Sequence, residues 1–448
     1  MKSFNQNILL KGKPASRNIE LDSALGYSRG DPLNNKDYPP KEEKGRYHVI
    51  ASLEKNVSRL QIARHNLSRG SGWLFEMSNF LKTIWDQSDE KEIPASVVNN
   101  YLKERLAQIR MTAEAASFQS RALLNGKSGI LADTTGKGLY FVKGSARVLS
   151  SKQQGYPVKI IRPAKAASLI GLDPLDERTI RSESLIAIKE GGSELRYKVS
   201  ENETADSLIE NLKIMLAERG MEISVDKTDD NRLLLIHQRL GSKPKFQGLS
   251  FKTRLLSKIP QQPLDSLNGV DIKGSIGNER AEGNGGFLLG ERGNQATDGL
   301  MVYFGGNTVI EGQIVGYVKV KQMGVKVPLD VREDTAEILS IPSILPKNIA
   351  IAVPNLSGFM SLDEISANHL IERIDALKLI QWAMKELKEL KDELKWKEDF
   401  YVDLAVKLLR NGPEATIDRD EALILSKEKA DEMLNQLKSL VNISKKVI

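Results

Sequence analysis

The sequence predicts an α+β fold, an antiparallel bundle of long N- and C-terminal helices with an inserted β-rich middle region containing a small α+β module. Three observations predict it. Near the start, leucines recur every seven residues at Leu53, Leu60, Leu67, Leu74 and Leu81. Near the other end a second series at the same spacing runs Ile380, Leu387, Leu394, Tyr401 and Leu408. Between them, from Gly126 onward, glycine, proline and β-branched residues displace the helical period. A stripe repeating every seven residues is the narrow seam of a coiled-coil-like helix, and neither seam can be left in water. The simplest arrangement pairs the two helical ends and loops the middle out from them. Two separate helical domains flanking a β domain is the alternative.

The elements follow in order. Residues 1–45 are polar and turn-rich, with Gly26, Gly30, Asp31-Pro32 and Pro39-Pro40, and read as an extended arm. Residues 46–130 form the N-terminal helical part. Its seam is completed by Val57, Ala63, Met77 and Ile84, while Gly70 and Gly72 predict a bend or break. Each of those glycines costs a helix about 1 kcal/mol relative to alanine. A second helix opens at Pro94, a favoured residue at a helix start, and runs to about Phe118 through Val98, Leu102, Leu106 and Ile109.

Residues 131–177 read as a β-hairpin region with a strand over Gly138–Val142. Residues 178–260 read as a small α+β insert. Strands over Leu185–Ile188 and Leu233–Ile236 flank a helix from about Thr204 to Arg219 that Gly220 stops. Residues 261–345 form a Gly-rich β region. There Gly269–Gly306 supplies loops and hairpin turns, and Val315–Val320 reads as a strand. Residues 346–448 form the C-terminal helical part. One helix follows Pro354 and is stopped by Gly412-Pro413. A last one, about Asp420 to Ser444, carries Leu423, Ala430, Leu434, Leu437 and Val441 on one face. The candidate bundle core is Leu53, Leu60, Leu67, Leu74, Leu81, Ile380, Leu387, Leu394 and Leu408.

The chemistry that the sequence lacks is equally informative. At 448 residues, 40% hydrophobic and 28% charged, the chain has room for two or three folded domains. It holds no apolar run of membrane-spanning length, so membrane insertion is not expected. The segment from Met1 to Leu10 lacks the apolar stretch and cleavage site of a signal peptide. Cysteine is absent, which removes disulfides, thiol nucleophiles and Cys-ligated metals together. His48, His65, His237 and His369 are far apart in sequence, and no H-E-x-x-H motif joins any of them.

Two glycine motifs fall short of nucleotide binding. Asn125-Gly126-Lys127-Ser128 has Arg121 where a phosphate loop needs glycine, and Gly283-Asn284-Gly285-Gly286-Phe287-Leu288 has Leu288 at the third glycine of a dinucleotide fingerprint. Asp229-Asp230 reads as turn chemistry, Asp418-Arg419-Asp420 as charge at a helix N-terminus, and Lys385–Lys397 as a solvated helix face laced by i,i+4 pairs. The net charge of +6 is interspersed, and aromatics, at 6%, do not alternate with basic clusters, so no nucleic-acid partner is expected. No catalytic residue, metal ligand or cofactor is expected, and the chain reads as a non-enzyme.

Three stretches resemble bacterial flagellin and the related flagellin-like hook-associated proteins. The first, Asn56 to Gly126, contains Gln61-Ile62-Ala63-Arg64 and ends Phe118-Gln119-Ser120-Arg121-Ala122-Leu123-Leu124-Asn125-Gly126. The second is Gly269-Val270-Asp271-Ile272-Lys273-Gly274-Ser275-Ile276, continuing through Ala281, Gly283, Gly285, Gly290 and Thr297-Asp298-Gly299-Leu300. The third joins Ser357-Gly358-Phe359-Met360-Ser361-Leu362-Asp363-Glu364-Ile365 to Ile374-Asp375-Ala376 and to Ile417-Asp418-Arg419-Asp420. Residues from Glu183 to about Gly241 are similar to the small α+β repeats inserted in such proteins.

The resemblance implies a structural, self-associating subunit of the flagellar filament or an accessory to it. It implies export to the flagellum without a cleaved signal, and as partners copies of itself, other filament subunits and an export chaperone. A hook–filament junction protein, and a secreted binding module that uses the β-rich middle, are the other readings. Residues 1–45 depart from the family's long N-terminal helix, and Val327-Pro328-Leu329-Asp330-Val331 stands where members show Phe-Gln-x-Gly-x-Asn. Ordinary polymerisation is therefore not expected of this chain.

Overall fold

The computed structural model describes residues 41–86, 93–306, 312–331 and 335–410. The chain opens with α1 (Lys41–Asp86) and α2 (Ala95–Ala115). A tight hairpin, β1 (Ser117–Phe118) and β2 (Arg121–Ala122), then leads into β3 (Ile130–Thr135), β4 (Leu139–Lys143) and β5 (Tyr156–Arg162). Next come β6 (Ala166–Pro174), α3 (Glu177–Ser182), β7 (Leu185–Glu190), β8 (Ser193–Lys198) and α4 (Ala205–Glu218). They are followed by β9 (Ile223–Lys227), β10 (Arg232–Leu240), β11 (Phe246–Ser250) and β12 (Leu264–Asp265). Five more strands return the chain: β13 (Lys273–Ile276), β14 (Glu279–Asn284), β15 (Phe287–Gly290), β16 (Met301–Phe304) and β17 (Gln313–Gln322). A hairpin of β18 (Val325–Pro328) and β19 (Ala336–Leu339) precedes short 3-10 turns and α5 (Leu370–Arg410).

The helices share one hydrophobic core. Gln61 and Arg64 of α1 meet Glu398 of α5, while Gly70 faces Leu387, so residue numbers rise along one helix as they fall along the other and the pair is antiparallel. The α2 helix folds back on α1, with Phe80 against Tyr101 at 4.0 Å between ring centroids and Glu76 paired to Arg105 at 3.1 Å. Val98, Leu102, Leu106 and Ile109 of α2, and Val327, Leu329 and Leu339 of the β18–β19 hairpin, join the same core.

Three expectations for this region need correction. Helix begins at Lys41 rather than after an arm ending at 45, because Lys41-Glu42-Glu43-Lys44 are strong helix formers. The remainder of the arm, residues 1–40, and the helix expected over 420–444 lie outside the described residues. The α1 helix also runs unbroken through Gly70 and Gly72. Gly70 sits on the seam, where an added Cβ would lie 3.4 Å from Leu387 Cδ2 and 3.5 Å from Ile344 Cδ1. Packing against α5 thus holds the helix straight at a point its own propensity weakens. Finally, α5 starts only at Leu370, and residues 346–369 are irregular with two 3-10 turns.

The stretches read as separate regions at 131–177 and 261–345 build one eight-stranded antiparallel sheet, in the order β3-β17-β5-β13-β14-β15-β16-β4. Its two outer strands are consecutive in sequence and meet at their connecting turn, where the Thr134 hydroxyl donates to the carbonyl of Leu139 at 2.9 Å, so the sheet curls back on itself into a partly open barrel. Val158, Ile160, Leu288, Val302, Phe304 and Val318 fill the inside. Glycine is required where strands crowd: a Cβ on Gly316 would stand 1.8 Å from the Thr135 carbonyl oxygen, and one on Gly283 1.7 Å from that of Ile272. The Gly269–Gly306 stretch is accordingly four strands and their turns rather than loops alone. The β18–β19 hairpin, expected with this region, belongs instead to the helical core.

The α+β module is inserted between β5 and β13, which are paired neighbours in the barrel. It starts at Ala166 and closes at Asp265, wider than the expected 178–260. A three-stranded sheet, β6-β10-β9, and a four-stranded sheet, β12-β11-β7-β8, enclose a core with Leu208, Leu212 and Leu216 of α4. Thr204 caps α4 in a reciprocal capping box with Ser207, and Gly220 follows with φ +66.

Candidate functional site

Where no residue pattern points to catalysis, the candidate site is the interface between α1 and α5. Leu53, Leu60, Leu67, Leu74, Leu81, Ile380, Leu387, Leu394 and Leu408 all lie buried in the single helical core. The second line of the seam differs from the sequence reading. Val57 is half-buried, while Asn56, one residue earlier and in step with Ala63, Gly70, Met77 and Ile84, is 2% exposed. The spacing of the leucines points to position 56, but a polar side chain there hid the signal.

Asn56 belongs to a polar constellation set into the apolar seam. Its amide donates to Ser52 O at 2.8 Å, and Arg59 hydrogen-bonds its oxygen. The Arg59 guanidinium lies 5.2 Å from the Phe118 ring centroid, and burial, then the nearby Arg121, pull its pKa below the usual arginine value. Across the seam the Tyr401 hydroxyl donates to Glu337 of β19, which Lys397 also reaches at 3.1 Å. Burial and the Glu337 charge push the Tyr401 phenol well above its ordinary value. Glu398 accepts from Gln61 at 3.1 Å and from Arg64. The bonds of Gln61 and Arg64 to Glu398 and of Tyr401 to Glu337 join different elements and are made in one alignment of those elements only, so they specify register as a buried polar seam residue does in a coiled coil.

Only one group of described residues combines metal-ligand types, Glu190, Glu222 and His237. Its bonding argues against a cation. His237 Nδ1 accepts from the Arg239 backbone N–H at 2.9 Å, so its Nε2 carries the proton donated to Glu190 Oε1 at 2.7 Å. Glu222 is already held by Arg239 and, at 2.7 Å, by Lys378 of α5. Burial pushes the Glu222 carboxyl up, but those two cations outweigh it and hold it below the usual carboxylate range. The cluster is an electrostatic joint between module and helical core. His48, His65 and His369 are exposed and lie apart from it.

Other carboxylates hold loops, which the sequence did not reveal. Glu183 accepts from the backbone N–H groups of Ser184, Leu185, Phe251, Lys252 and Thr253 and from the Thr253 hydroxyl. Burial pushes its carboxyl up, yet these donors prevail and keep it lowered. Glu279 is bound the same way by Gln295, Ala296 and Thr297. Asp230 lies in the β9–β10 turn beside Asn231, whose φ is +54. Ser128 of the phosphate-loop-like stretch donates to Ala122 O, and Gly283–Leu288 is the β14–β15 hairpin.

The Lys385–Lys397 face, expected in solvent, is covered in part. Glu386 accepts from the Ala350 backbone N–H at 2.9 Å and the Trp382 indole at 3.0 Å, and Lys397 is engaged by β19. Periodicity placed these residues opposite the seam but could not show that the hairpin and the 346–369 segment wrap that side.

No family model matches the chain, and no curated protein matches it. Solved structures do show similarity. The D2–D3 domains of the flagellar cap protein FliD from Escherichia coli share 12% identity at a TM-score of 0.28, covering 43% of this chain and 99% of that one. The D1–D2–D3 domains of the same protein share 12% at 0.29, covering 76% and 75%. FliD (HAP2) from Pseudomonas aeruginosa PAO1 shares 11% at 0.26, covering 43% and 84%.

Proposed function

We propose that the protein is a structural, non-catalytic subunit of the bacterial flagellar filament or an accessory to it, exported without a cleaved signal and self-associating through its helices. The observation that carries this reading is the pairing of α1 with α5. Helices from opposite ends of the sequence share one seam, and everything between β3 and β17 projects from that rod as an insert. The flagellin-like stretches fall on this frame in order: the first on α1, α2 and the β1–β2 hairpin, the second from β13 to the start of β16, and the third on the approach to α5 and its first turns, its last part, Ile417-Asp418-Arg419-Asp420, lying outside the described residues. Its partners are copies of itself or other filament subunits, with an export chaperone before assembly.

No described helix is long and apolar enough to cross a membrane. A hook–filament junction role fits the same frame. The reading of a secreted binding module is favoured by one feature, a cleft of about 470 Å³ on the module lined by Lys189, Lys245, Gln247, Ser266 and Asn268. Co-sedimentation of the purified chain with and without flagellin seeds tests the proposal. Pelleting that requires seeds supports it, and a chain that stays soluble with seeds present rejects it.

A further inference from the structure

The four-stranded sheet of the module is sided. Ile188 of β7, Leu195 of β8 and Phe246 of β11 turn into the module core, so the residues that alternate with them face out. On that outer face the register sets Glu194, Lys189, Gln247 and Asp265 side by side across β8, β7, β11 and β12. Lys245, two residues before Gln247 and exposed like it, is the diagonal neighbour of Lys189, about 7–8 Å away between Cα atoms. The cleft of about 470 Å³ opens over this face, with both lysines, Gln247, Asp265 and Asn268 among its walls.

The cations of this cleft are not neutralised from within. No carboxylate among the described residues pairs with Lys189 or Lys245. Glu194, the cross-strand neighbour of Lys189, is held by Arg196 at 2.7 Å. Asp265 accepts from Gln247 Nε2 at 2.7 Å through Oδ1, which leaves its other oxygen open. The Asn268 side chain is exposed and has no hydrogen-bond partner among the described residues. Two ammoniums therefore stand beside an acceptor pair and an amide, all facing one opening.

We propose that this cleft binds a carboxylated sugar. A bare anion would suit the lysines but would also meet the Asp265 charge. A ligand with a carboxylate at one end and hydroxyls at the other satisfies both. Its carboxylate takes charge-assisted bonds from the two ammoniums, and its hydroxyls donate to the open Asp265 oxygen and the Gln247 carbonyl and exchange bonds with Asn268. A nucleotide fits less well, because Phe246, the aromatic among the lining residues, is 3% exposed and offers no face for base stacking. The cleft lies within the size range of small-ligand pockets. This assignment rests on the binding-module reading and is independent of the filament role.

Isothermal titration calorimetry on the full chain tests it with methyl glucuronide, methyl galacturonide and N-acetylneuraminic acid, set against methyl glucoside and inorganic phosphate. At least one carboxylated sugar should bind about tenfold tighter than methyl glucoside, the difference being a carboxylate on two ammoniums. Lys189→Gln/Lys245→Gln, both at exposed positions outside the module core, should remove that advantage. Asp265→Ala should weaken the same sugar about tenfold. Binding of none of the three acidic sugars overturns the proposal. So does phosphate binding that matches theirs and tightens in Asp265→Ala, which marks a plain anion site. An acidic sugar bound equally well by the double lysine variant overturns the cleft assignment while leaving the binding-module reading standing, with the ligand elsewhere on the chain.

Discussion

At the scale of single residues, the core leucines and the loop-holding carboxylates make separate predictions. Leu60 is fully buried between α1 and α5, so Leu60→Ala should destabilise the helical core by about 2–5 kcal/mol in urea unfolding, depending on how far the cavity collapses. Glu183 acts through pH. Its carboxyl is lowered in the folded module, so its stabilisation is fully present above the ordinary glutamate value and is lost as pH falls through the lowered one. The module should therefore unfold on acidification, and Glu183→Gln should flatten that acid limb while costing stability at neutral pH. An acid limb left unchanged by the substitution would show that other carboxylates carry it.

At the scale of elements, glycine means different things in the rod and in the barrel. A Cβ at Gly70 meets Leu387 and Ile344 at ordinary van der Waals distance. Gly70→Ala should therefore be tolerated and gain up to about 1 kcal/mol of helix propensity, read as a higher melting temperature. Gly316→Ala should instead disrupt the β3–β17 pairing, because the new atom would overlap the Thr135 carbonyl, and lost tertiary circular dichroism would report it. The module's ends also meet closely, since Lys273 pairs with Arg162 across its insertion point. Replacing residues 166–269 by a short Asn-Gly turn should leave the barrel and helical core folded. Loss of helix in that deletion would mean the Lys378–Glu222 joint stabilises α5 itself.

At the scale of the whole molecule, α1, α2, α5 and the β18–β19 hairpin form a rod stitched by buried polar pairs, with a barrel and, inserted into it, a module. The sequence of residues 1–40 holds Pro14, Pro32, Pro39 and Pro40 and no sustained apolar period. Purified protein at high concentration should form no long regular filaments without seeds. Electron microscopy decides this, and unseeded filaments would overturn the expectation.

The sequence by itself determined the seams: seven-residue spacing encodes which face of a helix is buried, and hydrophobicity leaves no other place for those leucines. It also determined the stop at Gly220, the strands near 139, 185, 233 and 315, and the α+β character of the insert, because turn and cap chemistry are local. Tertiary structure alone decided the rest. That 130–162 and 273–322 form one barrel depends on pairing across a module of a hundred residues, which no local pattern records. Gly70 keeps its helix straight because Leu387 of α5 and Ile344 pack against it, which its own propensity does not foretell. Glu183, Glu222 and Glu386 look alike in sequence, yet backbone N–H groups hold one ionised, two cations hold the next, and burial pushes the third up. A carboxylate's role is set by what folds against it, and that information lies in distant parts of the chain.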